Sequence, residues 1–534
     1  MNVPPGEGTG RSRRGALSRP TTDCLTVLAA EQQRRFDAAT PPAERKRRGH
    51  FGTAPSVADF MAGMFPDIPP GTVRVLDPGA GVGTLSAALC QRVLCEPSPR
   101  HLVFELWEND PSLAPYLRRT MDACQRAIRE AGHEMEFTLQ AGDFVLDHSE
   151  PSLFSTGSPP TFDLVITNPP YFKVRKDEKL ARVMEHVVHG QPNIYAFFLA
   201  VAAGLLRDGG EMVAITPRSY FNGPYFRRFR KWFFDRMTIR GIHSFESRTD
   251  AFQENDVLQE NVILLAERGG GPKDVTVTSS PGREFHQVDR HVLPYTRVVE
   301  GTSGDHVVRV ATGGIGQRIV ELVDGLPCRF RDLPFRVSTG RVVTFRSAAF
   351  LRGDRSDETA PLLWMHNVRP FVTRFPPRNG KPTHIIVNAE SERLLVPAQR
   401  YVLLKRFTAK EEKRRLVAGI VGPTDSYSPV LGLENHLNYV YGTAGELSND
   451  EAFGLAALFN SALMDCYFRA VSGSTQVNAT EIRAMPVPRI ETIREIGRAI
   501  NRGRDTTPSA VERVVGSALG LPGSLVEQLC EADR

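Results

Sequence analysis

Up to about residue 270 the hydrophobic pattern of the chain switches between two rhythms. Short continuous apolar runs, such as Phe162-Asp163-Leu164-Val165-Ile166-Thr167, read as strands buried on both faces. Similar runs occur at Val73–Leu76, Leu102–Trp107, Glu136–Gln140, Glu211–Thr216 and Val262–Ala266, the last predicted to close the sheet. Between them, spacings of three and four predict helices. One spans Ser56–Phe65, with Val57, Phe60, Met61 and Met64 on one face and Ser56 as N-cap. Others are predicted at Leu85–Val93, Leu113–Ala131, from Asn193 to a glycine stop at Gly209-Gly210, and at Arg227–Phe234. Strands alternating with helices predict a parallel sheet in an α/β domain.

The rhythm changes after Gly269-Gly270-Gly271-Pro272. From about residue 286 the predicted strands are short and separated by Pro, Gly and Arg. Basic residues interleave with aromatics and hydroxyls in Phe335–Arg346 and Tyr401–Thr408, and a charged helix is predicted at Lys410–Arg415. A helix is predicted at Asp450–Phe468, and Pro486-Val487-Pro488 ends the region. The reading divides the chain into a flexible tail (1–44) with a short helix near Leu25–Asp37, a first domain (45–275), a second (286–490) and a helical, peripheral tail (491–534). A chain of 534 residues exceeds one hydrophobic core, which agrees with this division.

Composition narrows the class only slightly. The chain is 41% hydrophobic and 24% charged, with a formal net charge of +5, which permits a nucleic-acid partner without demanding one. No apolar run is long enough for a membrane span, and no signal-peptide core precedes the first domain. Seven scattered cysteines without CxxC spacing fit a reducing cytoplasm, and neither a zinc site nor a disulfide framework.

The chemistry is expected at the strand ends. Asn168-Pro169-Pro170-Tyr171 follows the Phe162–Thr167 strand. Two prolines cannot continue a sheet, so the segment forms a stiff loop at the edge where open α/β sheets bind ligands. Asn168 Oδ1 and the Pro169 carbonyl could accept both N–H bonds of an aromatic amine, drawing its lone pair out of the ring. Tyr171 could stack on the base. On their own, these four residues also fit a surface turn with a capping Asn. Asp77-Pro78-Gly79-Ala80-Gly81-Val82-Gly83 lies between a predicted strand and a helix, where glycines allow close backbone approach to a ligand. Glu108 ends the second strand and could accept ribose hydroxyls. Asp143 ends the third and could accept from an adenine amino group, with Phe144 stacking on the ring. Glu108 alone also fits a helix N-terminal acid placed against the dipole. Asp77, Glu108, Asp143 and Asn168 at four strand ends of one parallel sheet should converge.

These motifs resemble the N6-adenine DNA methyltransferases of type II restriction–modification systems, in the gamma motif order. The resemblance covers roughly residues 45–490 and rests on NPPY and the Asp-Pro-Gly-Ala-Gly-Val-Gly loop, with further likeness at Phe252–Val262 and Ser472–Glu481. It implies a Rossmann-like S-adenosylmethionine-dependent methyltransferase sheet followed by a mixed α+β target-recognition domain. Thr53, Asp77, Gly79, Gly81, Gly83, Glu108, Asp143 and Phe144 fall at cofactor positions. Asn168, Pro169, Pro170 and Tyr171 fall at the loop facing a flipped-out adenine. The resemblance also implies S-adenosylmethionine as methyl donor with no metal, duplex DNA as substrate, and a separate restriction endonuclease as functional partner. Arg336, Arg341, Arg346, Lys405 and Arg406 are the expected DNA contacts. Two departures stand out. Relatives often have Thr-Pro where this chain has Thr53-Ala54-Pro55. Some relatives also place a Phe against the target base where Val262–Ala266 is aliphatic. The competing readings are a methyltransferase of RNA or protein glutamine, and a non-catalytic DNA-specificity subunit.

Overall fold

The computed structural model describes residues 24–48, 52–148, 161–175, 177–188, 193–245, 261–300, 304–310, 313–377, 380–408, 414–423, 426–472 and 476–532. Arg11, Arg13 and Arg14, most of the Phe252–Val262 stretch, most of the Lys410–Arg415 helix and part of Ser472–Glu481 lie outside the described residues.

A nine-stranded sheet forms the first part of the chain. Its strands are β1 (Gly71–Pro78), β2 (Arg100–Trp107), β3 (Glu134–Gln140), β4 (Phe162–Thr167), β5 (Leu206–Pro217), β6 (Met237–Phe245), β7 (Asn261–Arg268), β8 (Val275–Ser280) and β9 (Asp289–Leu293). Their spatial order is β3-β2-β1-β4-β5-β7-β6-β8-β9. The first five run parallel, and β7 is antiparallel to both β5 and β6. The order reverses beside β1, between β1 and β4, the kind of crevice where α/β sheets hold ligands.

Both faces of the sheet are covered, which is why its central strands lack polar alternation. Leu164 and Ile166 of β4 pack with helices α3 (Pro55–Met64), α4 (Thr84–Val93) and α5 (Ala114–Glu130). Val165 faces the other way, onto the apolar helix Ile194–Leu205. At about 25 cal/mol per Å² of apolar surface, these two layers carry most of the stability of this part.

Three expectations need correction. Residues 25–39 are not tail: they form α1 (Leu25–Ala39), which packs on α4 and α5 and buries Leu25, Ala29 and Phe36. The basic residues Arg45–Arg48 end a second short helix, α2 (Pro42–Arg48). Val262–Ala266 does not close the sheet, because β7 is interior and β6, β8 and β9 lie outside it. Arg240, Gly241 and His243 interrupt the apolar run of β6, whose register against β7 shifts between Ile239 and Gly241. Finally, the helix Ile490–Gly503 is not peripheral. It crosses Asn449–Asn460 so closely that a Cβ on Gly454 or Gly497 would overlap the carbonyl of Ile493 or Asp450. Ile493, Ile496, Ile500, Val511 and Val515 belong to the same core as Leu455 and Phe459.

The C-terminal part is mixed α+β. A four-stranded sheet pairs Phe335–Thr339, Leu437–Gly442, Tyr401–Lys405 and Ala418–Val421, and a five-stranded sheet lies beside it in sequence. The two parts of the chain meet where Arg218, just after β5, donates to the carbonyls of Arg469 and Ser472 at 2.7 and 3.0 Å. Among the described residues no helix is long and apolar enough to cross a membrane.

Candidate active site

The strand ends converge as the sequence requires. The β1–α4 loop turns back over β2, with the N–H groups of Gly79 and Ala80 both donating to the Trp107 carbonyl at 2.9 Å. Gly81 has φ +56° and open space around it, so conformation rather than crowding demands glycine there. Gly83 has φ +86°, and a Cβ would come within 2.9 Å of Leu117 Cδ1. Glu108 grips the same loop. One carboxylate oxygen accepts from Gly81 N–H and the other from Asp110 N–H, both at 2.9 Å. Burial raises the Glu108 pKa, and these backbone donors offset part of the rise.

Asp77 lies beneath the loop with no exposed surface. One oxygen accepts from Ser86 Oγ at 2.6 Å, while the other has no partner among the described residues. Burial pushes its pKa up to about 7, against the opposing effect of the Ser86 bond. At the end of β3, Asp143 caps a helical turn, accepting from the N–H groups of Val145 and Leu146 at 3.0 Å. Phe144 sits against Phe198 with ring centroids 5.3 Å apart.

The loop after β4 is held from three sides. Thr167 Oγ1 donates to the Pro78 carbonyl at 2.8 Å and ties the end of β4 to the end of β1. Asn168 Nδ2 donates to Thr53 Oγ1 at 3.0 Å. The Tyr171 hydroxyl lies 2.6 Å from Asn168 Oδ1 and 2.9 Å from the Ile215 carbonyl, either of which can take its proton. Burial raises the Tyr171 pKa, so the phenol stays neutral. The Tyr171 ring meets Tyr195 edge-on, with centroids 6.4 Å apart.

A cavity of about 400 Å³ connects these groups, within the range of small-molecule and cofactor sites. Thr53, Gly79, Gly81, Glu108, Asp143, Phe144, Asn168 and Pro170 line it; Asp77, Gly83, Pro169 and Tyr171 stand behind the wall. Sequence reasoning missed Gln33 and Phe36 of α1, and Trp107, Phe172, Lys179 and Phe198, which also line it. Phe172 adjoins NPPY and Phe198 lies in an all-apolar helix, but neither position carries a local signal of its own. The open space over Gly81 and the acid of Glu108, both at the cavity wall, fit a ligand carrying a ribose.

The expected DNA contacts divide into two sets. Arg336, Arg341 and Arg346 are exposed. The Arg346 guanidinium stands 5.3 Å from the ring of Phe345, which is itself 77% exposed. Lys405 is only 5% exposed, and its ammonium is not offered to a surface. Arg406 is half-buried, donating to the Asn435 carbonyl at 2.7 Å and to Gln476 Oε1 at 3.0 Å. Lys405 is the last residue of the strand Tyr401–Lys405, and Arg406 follows it.

The family described as Eco57I restriction-modification methylase matches residues 106–252, from β2 past β6. The chain is 35% identical over 452 residues to the type II methyltransferase M.BsuBI of Bacillus subtilis, covering 84% of this chain and 89% of that protein. It is 33% identical over 499 residues to the type II methyltransferase M.PstI of Providencia stuartii, covering 93% of this chain and 98% of the relative. Among solved structures, the type IIL restriction-modification enzyme MmeI in complex with DNA superposes with a TM-score of 0.51. That match covers 95% of this chain and 72% of the other at 10% identity, a likeness of fold.

Proposed function

The chain belongs to the type II methyltransferases of restriction–modification systems, and from that premise we propose that it methylates adenine N6 at a short duplex DNA site. S-adenosylmethionine supplies an electrophilic methyl group on a sulfonium sulfur. In this reading the β1–α4 loop and Glu108 hold its ribose, Asp77 supports that loop from beneath, and Asp143 with Phe144 receives its adenine. The product protects DNA from a separate endonuclease that cuts the same sequence.

The observation that carries the reading is the carboxamide of Asn168. It lines the cofactor-sized cavity at the end of β4 and is held at both ends. Adenine N6 is a weak nucleophile because its lone pair is delocalised into the ring. Asn168 Oδ1 and the Pro169 carbonyl accept its two N–H bonds, localise the lone pair and aim it at the methyl carbon. An amine so oriented needs no strong base before the transfer; the surplus proton leaves afterwards to water. The target base must leave the duplex to reach the loop. Arg336, Arg341 and Arg346 carry phosphate contacts, which position the duplex without reading it.

The test is modified-base sequencing of DNA from cells producing the protein. N6-methyladenine at one short motif is the expected result. Unmodified DNA from cells with soluble, cofactor-binding protein would sink the reading and favour an RNA or protein-glutamine substrate.

A further inference from the structure

We propose that Thr53 is a positioning residue for Asn168: its hydroxyl holds the nitrogen end of the carboxamide, so that the oxygen end faces the target amine. The inference rests on the proposed adenine chemistry and adds a residue to it. The terminal torsion of an Asn side chain is broad and nearly two-fold, so its two ends exchange with little steric resistance. The chemistry is not indifferent to that exchange. With nitrogen toward the substrate, an N–H would face an N–H, and the lone pair of the amine would stay in the ring.

Two contacts among the described residues hold the carboxamide with Oδ1 toward Tyr171 and Nδ2 toward Thr53. At the oxygen end Tyr171 donates to Oδ1, but its single proton also has the Ile215 carbonyl within reach. At the nitrogen end Nδ2 donates to Thr53 Oγ1 at 3.0 Å across 115 positions of sequence. Thr53 leads directly into a packed helix. It stands two residues before Pro55, the first residue of α3, and α3 buries Val57, Ala58, Met61 and Ala62 against its neighbours. The start of α3 therefore delivers the hydroxyl to the Asn168 side chain.

A cofactor contact and a positioning contact predict different kinetics. Loss of a cofactor contact weakens cofactor binding and is overcome by saturation. Loss of positioning lowers the methyl-transfer rate at saturating cofactor and DNA. The experiment measures single-turnover methylation of the site found by modified-base sequencing, together with cofactor and duplex dissociation constants, for wild type, Thr53→Val, Thr53→Ala and Thr53→Ser. We expect Thr53→Val to lower the saturated rate about 10- to 100-fold with both dissociation constants unchanged, as misplacement of a reacting group does. Thr53→Ser, which keeps the oxygen, should recover most of the rate. Thr53→Ala removes the hydroxyl without adding bulk and carries the same expectation if the valine variant does not fold. A wild-type saturated rate in Thr53→Val or Thr53→Ala overturns the inference, as does a defect that saturating cofactor repairs. Absence of N6-methyladenine with the wild-type protein would overturn the underlying reading instead.

Discussion

The Tyr171 hydroxyl lies 2.6 Å from Asn168 Oδ1, so the aromatic residue of NPPY braces the amide of the same tetrapeptide. The hydroxyl also reaches the Ile215 carbonyl, which otherwise lies buried at the end of β5. Tyr171→Phe removes the donor from both acceptors. The expected cost is about 1–3 kcal/mol of stability, the penalty of a buried acceptor left unmet, visible as a lower Tm. Asn168→Ala should instead abolish methylation while sparing cofactor affinity. Turnover by Asn168→Ala would remove the amide from the chemistry.

The Asp77 carboxyl sets a pH dependence. Its folded-state pKa of about 7 lies above its unfolded value, so between roughly pH 4 and 7 the folded chain keeps a proton that the unfolded chain has lost. The stability this contributes is fully present below the unfolded pKa and is lost as pH rises through the folded one. Asp77→Asn cannot ionise. Its Tm relative to wild type should therefore rise from pH 5 to pH 8 in cofactor-free protein. Parallel Tm–pH curves for the two proteins would refute the burial argument.

The exposed and buried basic residues should separate in a salt titration. Arg346→Ala should reduce the slope of log binding constant against log salt by about 0.9 for a single lost phosphate contact. Lys405→Ala should leave that slope unchanged and lower Tm, because the side chain is packed inside. An unchanged slope in Arg346→Ala would take that residue off the DNA surface.

At the crossing of Asn449–Asn460 with Ile490–Gly503, two glycines let the backbones touch. Gly497→Ala should push the helices apart and cost about 1–3 kcal/mol, the usual penalty of overpacking. Denaturant unfolding would measure it. An unaffected midpoint would show that the C-terminal helices yield freely.

What could be read from the sequence was what is local. Asp77, Glu108, Asp143 and Asn168 each end an apolar run, and in a parallel sheet such ends must share an edge; the cavity collects three of them and seats Asp77 just behind. Partnership across long distances was not legible. Nothing in the sequence near Thr53 points to Asn168, and nothing in β6 says that β7 will lie between it and β5. Lys405 was misplaced for a related reason. Both faces of Tyr401–Lys405 are covered, Val402 and Leu404 by the helical core and Tyr401 and Leu403 by a second apolar cluster whose members come from distant parts of the chain. The α1 helix was missed as a wall of the site because its weakly amphipathic pattern adjoins a Gly- and Arg-rich stretch.

That helix also determines how the protein can be cut. Every recognisable motif lies beyond residue 45, so a fragment starting there would look complete by sequence. It would lack Gln33 and Phe36, leaving the cofactor-sized cavity open on one side and stripping Val82 and Leu113 of the aromatic ring they pack against. A fragment that keeps the whole of α1 begins no later than Leu25, twenty-eight residues upstream of Thr53.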